Sequence, residues 1–157
     1  MLEWIIELIT NPFLMTAVLA WFVAQVMKTI IYAVINKKFR FERMVGDGGM
    51  PSGHSATVCS LATITLLMFG PSSFEFGVSA LLAIIVCHDA MGVRRESGKH
   101  AVILNEIIPI LEKLAKEEEL SELELKEFVG HTPLQVIAGG AVGICSAVLA
   151  WLLWFNW

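Results

Sequence analysis

Strongly polar residues in this chain are gathered into a few places, and four apolar blocks lie between them. The first block, Phe13 to Ile35, is broken only by Gln25 and Lys28. The second runs from Ser55 to Phe69, the third from Phe76 to Met91 with polar residues only at its end, and the fourth from Pro133 to Trp157. A helix that spans a bilayer needs about 20 apolar residues, with a range of about 17–25. Blocks one and four have that length. Blocks two and three reach it when the flanks "GGMPSGHS" and "HDAMG" are counted in. Gly70-Pro71-Ser72-Ser73 between them is a tight-turn signal, so these two blocks predict a helical hairpin. The expected fold is an all-α polytopic membrane helix bundle of about four transmembrane helices, at 13–35, 52–70, 75–91 and 132–155. They make a single integral membrane domain over residues 1–157, with loops at 36–51 and 92–131.

Residues 2–9 form a short apolar stretch before Asn11-Pro12 and read as an interfacial lead-in. Trp4 near one end and Trp151, Trp154 and Trp157 near the other suit an aromatic belt. In the last loop, Ile103, Ile107, Leu111 and Leu114 recur at helical spacing, which predicts an amphipathic helix from Lys99 to Glu119 with Pro109 as a kink point. Ser121 with Glu124 has the form of a capping box for a second short helix ending near Gly130.

Composition agrees with membrane residence. The chain is 56% hydrophobic and 17% charged, against about 45–50% and 25% in soluble proteins, and its mean hydropathy is +0.70. The net charge is −4, with no basic surface of the kind that binds nucleic acid, and the acids cluster between Glu112 and Glu127. Cys59, Cys87 and Cys145 lie inside apolar runs, lack metal-ligand spacing and are odd in number, so they read as small hydrophobes. The N-terminal "MLEWIIELITNPF" carries acids where a signal peptide needs a basic region.

The basic residues set the expected orientation. Lys37, Lys38, Arg40 and Arg43 lie in the first loop, and Arg94, Arg95, Lys99, Lys113, Lys116 and Lys126 in the last. With Lys28 nearby, these are all 11 basic residues. The hairpin turn and both termini have none. By the positive-inside rule the two long loops are cytoplasmic and both termini outside, in a multi-pass protein of the cell membrane.

On this topology the polar residues meet at one membrane face. His54 begins the second helix, His88 and Asp89 end the third, His131 begins the fourth, and Lys28, Arg94 and Arg95 lie at the same level. Ionisable groups within membrane segments are costly and often mark function, although helix ends also meet water and cations there snorkel. "GGMPSGHS" adds glycines that let backbone N–H groups approach an anion, ahead of a helix N-terminus with a partial positive charge. Ser52 and Ser55 add hydroxyls, or serve simply as the helix cap.

These residues resemble a known group. "PSGHS" looks like the second signature of the type 2 phosphatidic acid phosphatase superfamily, which also holds bacterial acid phosphatases and vanadium haloperoxidases. The chain is most similar to that superfamily's divergent branch of small membrane proteins. Its motifs read here "QVMK" (25–28), "GGMPSGHS" (48–55), "DAMGVRRESGKHAVILN" (89–105) and "GHTPLQVIAG" (130–139). The resemblance implies a membrane phosphatase that needs no metal or other cofactor and cleaves a lipid phosphate or pyrophosphate through a phosphohistidine. Carried over, His131 is the nucleophile and His54 the general acid, with Ser52 and Gly53 in the phosphate cradle.

The chain also departs from the superfamily pattern. The first signature's lysine seven residues before Arg-Pro is absent, since Arg43 precedes Met44 and position 36 is Asn. In the third signature the Ser-Arg before the histidine is missing, and Gln135 stands where an aspartate is usual. Either Lys28 stands in for the first signature's lysine or nothing does; Arg94 or Arg95 is the candidate for the missing arginine, and Asp89 for the carboxylate that orients and stabilises a histidine nucleophile. Gln135 can fix its tautomer but supplies no charge. Two other readings use the same residues. One is a non-catalytic binder or carrier of a lipid headgroup or other anion. The other is a metal site of His54, His88, Asp89 and His131, without sequence-local ligand spacing. A four-helix chain can complete its bundle as a homodimer, and the GxxxG pattern Gly139 to Gly143 suits close helix packing within or between chains.

Overall fold

A computed structural model describes residues 1–39, 41–44, 48–115 and 130–155. Six helices are present among them: α1 (Leu2–Ile9), α2 (Pro12–Asn36), α3 (Gly53–Phe69), α4 (Phe74–Met91), α5 (Val93–Ala115) and α6 (Pro133–Ala150). A 3₁₀ turn, Phe41–Met44, lies in the first long loop, and a π-helical turn, Trp151–Phe155, prolongs α6. No strand occurs among the described residues. Three helical stretches are long and apolar enough to cross a bilayer: Pro12–Asn36, Phe74–Leu111 where α4 runs on into α5, and Pro133–Trp154. The apolar helix α3 is shorter, at 17 residues, and so about 25 Å long. The chain is thus an all-α membrane bundle.

Helix starts are set by local chemistry. The Asn11 side chain accepts from the N–H groups of Phe13 at 3.0 Å and Leu14 at 3.1 Å, with Pro12 at the first helical position. Pro fits there because its missing N–H has no helical partner anyway. Ser73 caps α4 through the Phe76 N–H at 3.2 Å, and its hydroxyl donates to the Gly70 carbonyl at 2.8 Å. That bond closes the expected turn between α3 and α4. Gly92 marks the junction between α4 and α5. The latter starts at Val93, six residues before Lys99, because Arg94, Arg95, Glu96 and Ser97 are helix-compatible but carry no apolar periodicity to announce it. Pro109 lies inside α5. The expected second helix around Ser121 falls outside the described residues.

The bundle is centred on α3, which packs against α2, α4 and α6. Its interfaces are built from small residues. Ala20, Ala24, Ala56, Ser60 and Ala147 are fully buried. A Cβ on Gly139 would run into the Ser52 carbonyl, and one on Gly143 into the Ala56 carbonyl. The GxxxG stripe is therefore used within the chain, seating α6 on α3. Large apolar residues point the other way: Leu14, Val18, Phe22, Leu81, Ile84, Ile137 and Leu153 are all exposed. A soluble protein rarely exposes so much contiguous apolar surface. A bilayer solvates it, and close packing of small residues then holds the helices together. One interhelical hydrogen bond, between the Thr65 and Ser79 hydroxyls at 2.6 Å, joins α3 to α4.

Phe13 at the start of α2 stacks on Phe69 at the end of α3, ring centroids 5.3 Å apart. The two helices are therefore antiparallel. The same arrangement brings the C-terminal half of α2 to the N-terminus of α3.

Candidate functional site

Two backbone hydrogen bonds tie the polar motifs together at that end of the bundle. The Ser52 N–H donates to the Gln135 carbonyl at 3.0 Å, and the His131 N–H donates to the Ala90 carbonyl at 2.9 Å. The "PSGHS" segment is thus fastened to the start of α6, and the start of α6 to the end of α4. These bonds join segments that are separated widely in sequence, and they make one site of three motifs.

His131 is buried just ahead of α6. A capping box shapes this corner. The Thr132 hydroxyl accepts from the Gln135 N–H at 3.4 Å, and the Gln135 Oε1 accepts from the Thr132 N–H at 3.0 Å. The same Oε1 lies 3.3 Å from His131 Nδ1. With the proton on Nδ1, that contact is a hydrogen bond. His54, on the first turn of α3, is exposed. Its ring meets that of His131 edge-on, centroids 6.0 Å apart and planes at 61°.

Ser52 is fully buried and its hydroxyl serves the helix. It accepts from the Ser55 N–H at 3.3 Å and from the Ser55 hydroxyl at 3.1 Å. Gly53 is buried against Trp21: a Cβ there would stand 3.3 Å from Trp21 Cδ1. Gly49 has φ +90°, and a Cβ on it would come within 2.9 Å of Lys28 Cδ. The Lys28 stem therefore lies along the backbone of the glycine loop, and Lys28 is 5% exposed. A buried lysine in the C-terminal half of a membrane helix is held there by its surroundings, since an ammonium costs free energy to desolvate. Asp89 is half-buried at the end of α4, one residue from the carbonyl that His131 binds.

A cavity of about 240 Å³ opens between the glycine loop, α5 and the start of α6. Gly49, Arg95, Lys99, Gly130, His131 and Gln135 are among its lining residues. Of the expected site residues, Arg95 and His131 line it. Lys28 backs its Gly49 wall, and His54 touches the His131 ring. The Arg94 side chain lies outside what is described. Lys99 is the lining residue that the motif reading passed over. Its signal was present, because Arg95, Gly98, Lys99 and Val102 follow helical spacing and share one face of α5. Lys99 Nζ donates to Glu96 Oε1 at 2.6 Å. Among the described residues no three His, Cys, Asp or Glu side chains converge at metal-binding spacing.

A second cavity, apolar and about 460 Å³, runs along α2 past Leu14, Val18, Trp21 and Phe22. Trp21 borders both it and Gly53.

Fold and site together define a polytopic helical membrane protein with a histidine- and cation-lined cavity at one end of its bundle. The chain belongs to the Divergent PAP2 family, whose pattern matches residues 9–146. It is 37% identical over 154 residues to a Bacillus subtilis (strain 168) protein named "Uncharacterized membrane protein YuiD", covering 92% of this chain and 98% of that one. No solved structure matches it.

Proposed function

We propose that this protein is a membrane phosphatase that hydrolyses a lipid phosphate or pyrophosphate through a phosphohistidine on His131. The observation that carries the proposal is the meeting of His54 and His131, from two distant motifs, at 6.0 Å between ring centroids. One ring is buried and oriented, as a nucleophile needs. The other is exposed, as suits a general acid that must reach a leaving oxygen.

In-line transfer sets phosphorus about 3–3.5 Å from the attacking nitrogen, with the acid a further hydrogen bond away. In this scheme Gln135 keeps His131 in place while His54 reaches the leaving oxygen. Arg95 and Lys28 supply positive charge, and the first N–H groups of α3 add donors for the developing charge on the phosphoryl oxygens. Asp89 supplies the negative charge that Gln135 lacks. No metal or other cofactor enters this scheme. The groove along α2 supports a lipid substrate, because its apolar walls lead toward Gly53. The density of basic residues on the two long loops supports a cytoplasmic site and outward termini.

A second reading keeps the site and drops the chemistry: a binder or carrier of the same headgroup. It is favoured by the neutral Gln135 beside His131 and by the use of the Ser52 hydroxyl as a cap. Phosphate release from a panel of lipid phosphates and pyrophosphates, by detergent-purified protein with His54→Ala and His131→Ala as controls, decides between them. Turnover that vanishes in His131→Ala, falls at least 100-fold in His54→Ala as general acid catalysis requires, and is blocked by vanadate is the expected result. Absence of turnover on every substrate, or turnover indifferent to both substitutions, refutes the phosphatase.

A further inference from the structure

We propose that Lys99 is an anion-binding residue of the cavity, and that Glu96 is the counter-charge that holds it while the site is empty. The inference rests on the phosphate reading of the cavity and names a ligand contact beyond the residues assigned to the phosphate site above.

Arg95 and Lys99 are one turn apart on α5, and both line the cavity that His131 and Gln135 line from the other side. Gly98 and Val102, on the same face, complete that wall. Glu96 is not on it. Lys99 is thus shared between the cavity that it lines and a carboxylate, 2.6 Å from its ammonium, that does not line it. Both side chains are 55% exposed.

An exposed pair at i,i+3 contributes little to stability, because water and salt screen it and two long side chains must be ordered to form it. It holds the ammonium weakly, and so releases it readily. A phosphoryl group in the cavity offers several charged acceptor oxygens in a less solvated place, where charge-assisted bonds are stronger. Lysine suits such an exchange, being a compact charge on a flexible four-carbon stem with three donors that can turn from one acceptor to another. Arg95 stays as the fixed cation beside it.

The consequence is a pair of effects with opposite sign. Removing Lys99 weakens anion binding. Removing the Glu96 charge strengthens it, because the competitor for Lys99 is gone. A merely structural ion pair gives the same sign from either end.

The test is isothermal titration of inorganic phosphate into the full-length protein in detergent at low ionic strength. Lys99→Gln is expected to raise Kd by about threefold to tenfold, the loss of one charge-assisted bond at a half-exposed position. Glu96→Gln is expected to lower Kd by about twofold to threefold, and the double variant to match Lys99→Gln, since Glu96 acts only through Lys99. Lys99→Arg, which keeps the charge, is expected to stay within about threefold of wild type and guards against a fold lost in Lys99→Gln. A Kd unchanged in Lys99→Gln, or shifted the same way in both single variants, overturns the role of Lys99 and leaves the phosphatase untouched. Phosphate binding with these opposite shifts, but without turnover on any lipid, supports Lys99 and overturns only the phosphatase. Wild-type protein that binds no phosphate overturns both.

Discussion

Gly139→Ala tests the packing that holds the site together, and the structure supplies its own control one residue away. At Gly139 an added methyl meets the Ser52 carbonyl oxygen directly and stands 3.1 Å from both the carbonyl carbon and Cβ of Ser52. These are backbone and short-side-chain atoms of the α3 cap, so nothing flexible can yield. At Gly140 the same methyl meets only the Cys59 sulfur at 3.4 Å, an ordinary contact. Both positions gain the helix propensity of alanine over glycine, about 0.5–1 kcal/mol. Only Gly139 incurs the overpacking cost of about 1–3 kcal/mol. Because the clash is with rigid backbone, the upper part of that range, about 2–3 kcal/mol, applies, so the expected net is a loss of about 1–2.5 kcal/mol for Gly139→Ala, lowering Tm by about 2–10 °C in a chain of this size, with Gly140→Ala at or slightly above wild type. The assay is thermal unfolding followed by circular dichroism in one detergent. Because the clash falls on Ser52, phosphate affinity drops with Gly139→Ala as well. Gly143→Ala, which clashes one turn deeper with Ala56, loses similar stability and less affinity. Gly139→Ala melting with wild type, or Gly140→Ala falling as far, refutes the close approach of α6 to α3.

Two further substitutions probe the polar end. Gln135→Glu preserves the capping box, which accepts either residue, and sets a negative charge beside His131. A nearby carboxylate favours the imidazolium while the nucleophile must be neutral, so the acidic limb of the rate profile moves to higher pH; a limb that stays in place shows that position 135 does not face the ring. Lys28→Met removes a buried cation along the Gly49 loop, and phosphate Kd is expected to rise at least tenfold, against less than twofold for the exposed Lys37→Met; equal effects refute the placement of Lys28 at the site.

The helices were legible because bilayer length and apolar composition constrain them so strongly. Block boundaries at Asn11-Pro12, Gly70-Pro71 and Thr132-Pro133 coincide with chemically explicit caps and turns. The start of α5 was not legible, since its first turns carry charge without periodicity. At the site, the histidines, the glycine loop and Arg95 could be named from motif and depth alone. What sequence could not reveal was pairing. No local pattern tells that the Ser52 N–H reaches the Gln135 carbonyl or that His131 binds Ala90, because these bonds depend on how α3, α4 and α6 stack. Lys99 was overlooked for a related reason. One lysine in a loop rich in cations reads as a positive-inside residue until the cavity shows which face of α5 it lies on.

The missing aspartate of the third signature has a structural explanation. In this chain α6 begins at Pro133, directly after His131 and its cap Thr132, so the position four after the histidine is the third residue of the helix. That position is where a capping box needs a side chain long enough to return to the cap N–H, which is the role of Glu or Gln. Aspartate is one carbon shorter. Gln135 makes both that return bond and the contact to His131 Nδ1 from a single oxygen, so it fixes the ring's orientation at no cost in buried charge. In the proposed mechanism the negative charge that stabilises an imidazolium then comes from another element. The bond from the His131 N–H to the Ala90 carbonyl puts the end of α4, and with it Asp89, beside the start of α6. Orientation and charge, which one aspartate supplies together in the wider superfamily's pattern, are in this reading divided between α6 and α4. That division makes the His131–Ala90 bond as important to the proposed chemistry as either side chain.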